Sequence, residues 1–131
     1  VVASERYDLA VVRIPNTGIT PVTLGQAAEV GAKVDLISHP NKKFYTLSEG
    51  RVARYFMTQR DQKIVPAMAI TADFGRGSSG APVLNEAGEV VGIAASTESL
   101  YYTEDDGDQK NLQMVFKNCV PVSQLRELIG G

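Results

Sequence analysis

Short apolar runs separated by turn residues fill most of this chain, and their lengths are those of β-strands. The eight predicted strands are Leu9–Ile14, Lys33–Ser38, Phe44–Leu47, Gly50–Met57, Ala67–Thr71, Ala81–Leu84, Val90–Ala95 and Leu112–Phe116. Leu125, Leu128 and Ile129 have helical spacing instead. Ser123 precedes them as the expected N-cap, and Gly130-Gly131 ends the helix. The pattern predicts an all-β protein, an antiparallel barrel or sandwich with a C-terminal helix.

Two segments between the apolar runs are predicted to be turns or loops. Asn85-Glu86-Ala87-Gly88 is a hairpin turn in which Gly88 supplies a positive φ. Thr97–Asn111 carries five acidic residues and a central glycine, which predicts a solvated surface loop. The alternative is an acidic rim beside a cleft.

The composition of the chain excludes several classes of function. The chain has 131 residues, of which 44% are hydrophobic, and this is enough for one domain with a core. Its net charge of −2 is unlike that of a nucleic-acid-binding protein. No apolar run approaches the roughly 20 residues of a membrane span. One histidine and one cysteine cannot form a usual zinc site, no Gly-Lys-Ser/Thr loop is present, and we expect no metal or cofactor. A single cysteine, Cys119, excludes an internal disulfide and leaves the compartment open.

The run Gly77-Ser78-Ser79-Gly80 carries the strongest chemical signal. Its glycines permit φ values closed to other residues, so the backbone can turn sharply and present Ser79 to solvent. Neighbouring N–H groups can then point at a ligand, as an acyl-transfer nucleophile requires. The plainer interpretation is a Gly/Ser-rich surface turn.

Four segments, in order, resemble the trypsin-like (chymotrypsin-fold) serine peptidases, especially the bacterial HtrA-like type. They are Asp8-Leu9-Ala10-Val11-Val12; Gly31–Val34 with Ile37-Ser38-His39-Pro40; Leu47–Val52; and Gly77–Val83 with Gly88–Ile93. The terminal helix, 122–129, resembles the helix that ends the family's fold. The resemblance implies an antiparallel Greek-key β-barrel, the second of the two barrels in a chymotrypsin-like fold.

The resemblance also implies roles for individual residues. Ser79 corresponds to the nucleophile and Asp8 to the carboxylate that orients the base. The N–H groups of Gly77 and Ser79 correspond to the oxyanion hole. Ala94-Ala95-Ser96 corresponds to the edge strand that pairs with an extended substrate.

Asp73 corresponds to the base of the pocket for P1, the substrate residue on the acyl side of the scissile bond. An aspartate there favours Lys or Arg at P1. The alternative is that Asp73 accepts hydrogen bonds from backbone N–H groups of the turn. Ser78 departs from the aspartate that many digestive-type members carry, which argues against activation by a new N-terminus. Ala81 replaces a common glycine, a mild change.

The family's histidine base is missing. The sole histidine, His39, follows Asp8 in the chain, whereas the triad histidine precedes it, so we expect His39 to be structural. The expected organisation is residues 1–18 as the last strand of an N-terminal barrel with a linker, 19–121 as the C-terminal barrel, and 122–131 as the helix. An upstream barrel or a separate chain would supply the histidine, and the chain alone would be inactive.

Three functions are compatible with these features. The first is a serine endopeptidase acting on peptides or proteins, secreted or periplasmic like the bacterial family members. The second is a non-catalytic relative that binds peptides or partners through the same cleft. The third is an unrelated β-barrel binding module whose serine motif is coincidental. No nucleic acid or membrane is expected as a partner.

Overall fold

Six of the strands close into one antiparallel barrel. The computed structural model of the chain describes residues 1–105 and 107–130. Its elements are β1 (Val2–Ser4), β2 (Leu9–Val11), β3 (Lys33–Ser38), β4 (Thr46–Arg60), β5 (Lys63–Ile70), β6 (Pro82–Leu84), β7 (Val90–Asp105), β8 (Asp108–Pro121) and α1 (Val122–Gly130), with a 3-10 turn at Pro40–Lys42. The order around the barrel is β3-β4-β5-β8-β7-β6. Three hairpin-connected strands followed by a fourth that returns beside the first make a Greek key.

The barrel closes where β6 pairs with β3, through Asp35 with Leu84 and Leu36 with Val83. Because the sheet has closed on itself, the predicted all-β fold is confirmed as a barrel rather than a sandwich. Alternate residues of β3 face inward, so Val34, Leu36 and Ser38 are buried. The inward residues form one apolar core, comprising Val34, Leu36, Val52, Met68, Ile70, Ala72, Phe74, Val83, Val91, Ala94 and Cys119.

The two strands predicted at Phe44–Leu47 and Gly50–Met57 are one continuous strand, β4. Ser48-Glu49-Gly50 looks like a break in sequence, but Gly50 pairs with Val34 inside the ladder. A Cβ at Gly50 would lie 2.2 Å from the backbone nitrogen of Ala72. This glycine therefore permits a close approach between chain segments rather than a turn.

The prediction of a surface loop at Thr97–Asn111 is wrong for most of that segment. β7 and β8 continue past the barrel as a two-stranded ribbon, paired from Ser99 with Val115 to Asp105 with Asp108. In the parts of the ribbon whose burial is described, 99–103 and 108–115, most residues are exposed and none is buried, so these residues do not show the buried-to-exposed alternation that marks a strand. Asp106, inside the predicted loop, lies outside the described residues.

The N-terminal hairpin β1–β2 forms its own small sheet and packs on the outside of the barrel beside α1. Tyr7 and Leu9 are buried there against Val65 and Val120, with Leu125 and Leu128 of α1 packed on the same cluster. The helix begins at Val122, so Ser123 lies inside its first turn rather than before it. In the described ranges, no helix has the length and apolarity to span a membrane.

Cys119 gives the barrel core a measurable pH dependence. Burial raises the pKa of its thiol from 9.0 to about 12. Because the folded pKa lies above the unfolded one, this contribution to stability is complete below pH 9 and is lost as pH rises towards 12. Urea unfolding gives the free energy of unfolding at pH 9 and at pH 10. Between these two pH values, the native chain should lose about 1 kcal/mol more of this free energy than Cys119→Ala does. Equal slopes would contradict the burial of this thiol.

Candidate active site

Ser79 lies exposed on the turn that leads into β6. Its Oγ donates a hydrogen bond to the carbonyl of Ala95, at 3.0 Å. The turn is held on β7 by two backbone hydrogen bonds, from Gly80 N–H to the Ala94 carbonyl (2.8 Å) and from Ala94 N–H to the Ala81 carbonyl (2.9 Å). The turn that carries Ser79 is therefore hydrogen-bonded to the sheet, and it exposes the serine predicted from the Gly/Ser motif to solvent.

Ser78 points the opposite way, into the protein, and is 1% exposed. Its Oγ lies 3.0 Å from the Oγ of Ser38 on β3, and it also accepts a hydrogen bond from Gly75 N–H. A buried hydroxyl left without a partner would be costly, so the two serines satisfy each other. Sequence reasoning treated Ser78 only as a departure from aspartate and did not anticipate Ser38 as its partner.

Gly77 has φ +98°, and a Cβ there would lie 2.7 Å from the carbonyl oxygen of His39. The Arg76 carbonyl accepts a hydrogen bond from Asn41 N–H at 2.7 Å. A trans peptide directs its C=O and N–H to opposite sides, so the Gly77 N–H points away from Asn41. Across residues 1–105 and 107–130, no protein acceptor bonds the N–H of either Gly77 or Ser79.

The edge of β7 continues beyond this turn. The β6 pairing of β7 ends at Pro82 with Ile93, whereas its pairing with β8 begins at Gly92 with Pro121 and continues to Asp105 with Asp108. A register shift between Ala94 and Ser96 leaves Ala95 at an irregularity in that ladder. Ala94-Ala95-Ser96 thus lies directly beside Ser79, and its role as the strand that pairs with substrate stays a prediction.

Asp8 occupies the turn of the β1–β2 hairpin, with φ +57°. Its Oδ2 is 3.4 Å from Nη1 of Arg60, and its side chain is about half exposed. Ala95, which accepts the Ser79 hydrogen bond, packs against the buried cluster to which Leu9 of the hairpin belongs. Within the described chain, no hydrogen bond joins Asp8 to Ser79.

A hydrogen bond anchors this hairpin to α1. The Tyr7 hydroxyl donates to Oε1 of Glu127 at 2.7 Å. That bond, together with desolvation, raises the pKa of Tyr7 above its ordinary 10.0. Because Tyr7 precedes Asp8 directly, the contact with the helix holds the hairpin turn on which Asp8 lies.

His39 lines the same surface depression as Ser79, together with Gly77 and Pro82. Its Nδ1 accepts a hydrogen bond from Tyr45 N–H at 2.9 Å. In the neutral ring the proton is therefore on Nε2. The rings of Phe44 and Tyr45 make edge contacts with the imidazole, at centroid distances of 5.4 and 5.0 Å. These contacts tie His39 to its own loop, as a structural role requires.

Asp73 begins the loop that leads to Ser79, and it is ion-paired. Nζ of Lys117 lies 2.9 Å from Asp73 Oδ1. The Asp73 carbonyl accepts a hydrogen bond from Ser48 Oγ at 2.6 Å. Sequence reasoning did not find Lys117, because nothing in the local pattern around a lysine in a strand reveals a partner 44 positions earlier in the chain.

The sequence of the chain is similar to one family of known proteins. Residues 1–93 match the family described as "Trypsin-like peptidase domain". The protein named "Probable periplasmic serine endoprotease DegP-like" from Hahella chejuensis is 32% identical over 107 residues, 80% of this chain and 22% of that protein. Its namesake from Pseudomonas fluorescens is 30% identical over 104 residues, 78% of this chain and 21% of that protein.

Solved structures agree on the fold. The Rv3671c protease from M. tuberculosis in its active form has a TM-score of 0.74 and 19% identity, over 99% of this chain and 56% of that chain. The inactive form of the Rv3671c protease also has a TM-score of 0.74, with 17% identity, over 99% of this chain and 63% of that chain. Identities this low speak for the architecture alone.

The fold and the family match together define the class of this protein, which has the chymotrypsin-like β-barrel of serine peptidases. The chain belongs to the trypsin-like peptidase family, of the bacterial HtrA-like type. It spans about a fifth of the length of the curated relatives it matches.

The Ser79 turn should be sensitive to a side chain at Gly77. Gly77→Ala places a Cβ 2.7 Å from the His39 carbonyl at φ +98°, which we expect to lower the free energy of unfolding by about 3 kcal/mol. Gly80→Ala is the matched control, since its φ is +90° but no atom lies within 4 Å of the added Cβ. It should cost about 1 kcal/mol. Urea unfolding measures both, and equal losses would contradict the close packing at Gly77.

Proposed function

We propose that this chain carries the nucleophile of a serine endopeptidase that hydrolyses peptide bonds. The observation that supports it most is the Ser79 turn. There an exposed hydroxyl and the two unbonded N–H groups of Gly77 and Ser79 lie beside Ala95, where the β6 pairing of β7 has ended. That arrangement combines a nucleophile, an oxyanion site and a backbone for β-augmentation.

In the proposed reaction, Ser79 Oγ attacks the scissile carbonyl carbon while a histidine takes its proton. The N–H groups of Gly77 and Ser79 stabilise the negative oxygen that forms. The C–N bond then breaks, the histidine returns the proton to the departing amine, and water hydrolyses the acyl-enzyme by the same steps. Asp8 orients the histidine and stabilises its charged form. Ala94-Ala95-Ser96 holds the substrate as an added strand.

The histidine in this proposal does not come from His39, whose Nδ1 is bonded to Tyr45 N–H. It comes from an upstream N-terminal barrel or from a separate chain. Residues 1–18 then belong with that barrel as its last strand and linker, 19–121 form the C-terminal barrel and 122–131 the helix. The separate β1–β2 sheet supports this division. The 131-residue chain alone is inactive.

The relatives' names bear on where the complete protein works. Both curated relatives are named periplasmic endoproteases. We therefore place the proposed activity outside the cytoplasm, in the periplasm or a secreted protein, with peptide or protein substrates.

The tie between His39 and its own loop favours a second function, peptide binding without hydrolysis. If the complete protein has no histidine that reaches Ser79, the open edge of β7 can still pair with an extended peptide. Chemical labelling separates the two functions.

A fluorophosphonate probe tests the nucleophile. In the complete natural protein we expect stoichiometric labelling at Ser79, identified by mass spectrometry and lost in Ser79→Ala. The 131-residue chain should label at least about 100-fold more slowly, because a general base contributes 10²–10⁴-fold.

Ser99→Ala is the matched control, since Ser99 is an exposed serine on the ribbon formed by β7 and β8, and its removal should leave labelling intact. No labelling in the folded complete protein supports the binding function instead. Efficient labelling and peptide cleavage by the 131-residue chain would show that no outside histidine is needed.

A further inference from the structure

One edge of β7 is unpaired over most of the length of the strand. β6 pairs with that edge only as far as Ile93, while β8 occupies the opposite edge as far as Asp105. The last backbone hydrogen bonds on the β6 side are those of Ala94. Across the part of the chain that the structure describes, no backbone group bonds to this edge over 96–105, which we call the free edge. Strands rise about 3.3 Å per residue, so the free edge is about 30 Å long.

The free edge is regular and lacks the usual features that block pairing. The extra residue of the register shift beside Leu100 is Gln113, which lies in β8, so β7 itself has no bulge beyond Ser96. Over 94–103 the sequence has no proline or lysine and only one charged residue, Glu98. Natural proteins block exposed strand edges with prolines, charges and bulges. The free edge is therefore open to a partner strand.

The free edge leads directly to Ser79. The carbonyl of Ala95, next to the start of the free edge, accepts the Ser79 hydrogen bond. Every ladder of the barrel is antiparallel, and a peptide that pairs with β7 in the same way runs in the direction of β6. Because β6 follows the Ser79 turn in the chain, such a peptide begins towards the end of the ribbon and reaches Ser79 with its C-terminal part. The residues that precede the reacting carbonyl then lie along the ribbon.

Exposed apolar side chains on the ribbon indicate the kind of peptide that fits. Leu100 and Met114 are both about half exposed, and they share one face because they lie opposite each other in the ladder. Tyr102 is 79% exposed, and Leu112 is also exposed. Apolar and aromatic side chains stabilise a neighbouring strand through pairs with its β-branched and aromatic residues. The ribbon therefore favours an extended peptide that carries such residues.

We propose that the free edge is a binding site for the substrate strand, and that it holds the residues from about four to ten positions before the cleaved bond. This inference rests on the proposed endopeptidase function. It narrows the substrate class to long segments in extended conformation that are rich in β-branched and aromatic residues. Continuity of the free edge with the Ser79 turn favours a substrate over a second copy of the chain.

The test uses the complete natural protein and fluorogenic peptides that share one cleavable core. One series is lengthened from about four to ten residues before the cleaved bond, and a matched series is lengthened after it. Lengthening before the bond should raise kcat/KM by about 10-fold, because the added residues pair with β7. Lengthening after the bond should not, because those residues lie beyond the free edge. A comparable gain in both series would overturn the proposal.

A shortened ribbon separates this site from the cleft at Ser79. Replacing 101–113 with Asn-Gly joins the paired residues Leu100 and Met114 through a two-residue turn. This variant should cleave the shortest peptide as the native protein does and lose most of the gain for the longer ones. If it does not fold, Leu100→Ser should reduce the gain by about 3-fold. Ile64→Ser is the matched control, because Ile64 is an exposed apolar residue on β5, and it should leave the gain unchanged.

N-methylated peptides show whether the peptide backbone makes the contact. In an antiparallel pair, alternate residues direct their N–H groups to the partner strand. Methylation at every second position before the cleaved bond should lower the affinity by about 10-fold, and the intervening positions should tolerate it. Fluorescence anisotropy with Ser79→Ala measures this binding without hydrolysis. A protein that cleaves no peptide but binds long peptides more tightly than short ones refutes the endopeptidase function and supports this site.

Three results would overturn the proposal. The first is equal kcat/KM, or equal affinity, for the short and long peptides. The second is a gain that persists in full when the ribbon is shortened. The third is a native dimer that becomes a monomer when the ribbon is shortened, seen by sedimentation, because a second copy of the chain then occupies the free edge.

Discussion

The buried hydrogen bond between the hydroxyls of Ser38 and Ser78 is the contact on which the geometry around Ser79 depends. It links the end of β3 to a turn 40 residues later and gives each hydroxyl a partner inside the protein. With Ser78 held inward, Ser79 is turned outward. The packing of Gly77 against the His39 carbonyl reinforces the link, since a side chain at Gly77 would force the turn away from β3.

A second set of contacts involves Ala95 and the N-terminal hairpin. Ala95 accepts the hydrogen bond of Ser79 and packs against the cluster that holds Tyr7 and Leu9. The hairpin that carries Asp8 is in turn anchored to α1 through Glu127. The C-terminal helix therefore holds the hairpin that carries Asp8, the residue predicted to orient the histidine.

Charge near the Ser79 turn is arranged differently from what the loop sequence alone indicates. Asp73 was predicted to lie at the base of the P1 pocket or to accept hydrogen bonds from backbone N–H groups of the turn. In the structure its side chain is paired with a nearly buried lysine from another strand, and its backbone carbonyl accepts a hydrogen bond from Ser48. A residue's position in a motif thus indicates where it lies, but its electrostatic role depends on the partner that the fold supplies.

The local pattern of this chain was sufficient for the all-β class, β3, the hairpin turn at Gly88, the terminal helix and the Ser79 turn, because each depends on spacing or on glycine within a few residues. The pattern failed at Gly50 and in the ribbon, where the deciding factors are a close backbone approach and cross-strand hydrogen bonds. Only the tertiary structure decided the partners of Ser78, Asp73 and Asp8. Those contacts join segments that are tens of residues apart, and the pairing of the barrel strands and the packing of the hairpin on the barrel bring their side chains together without leaving a local signal in either segment.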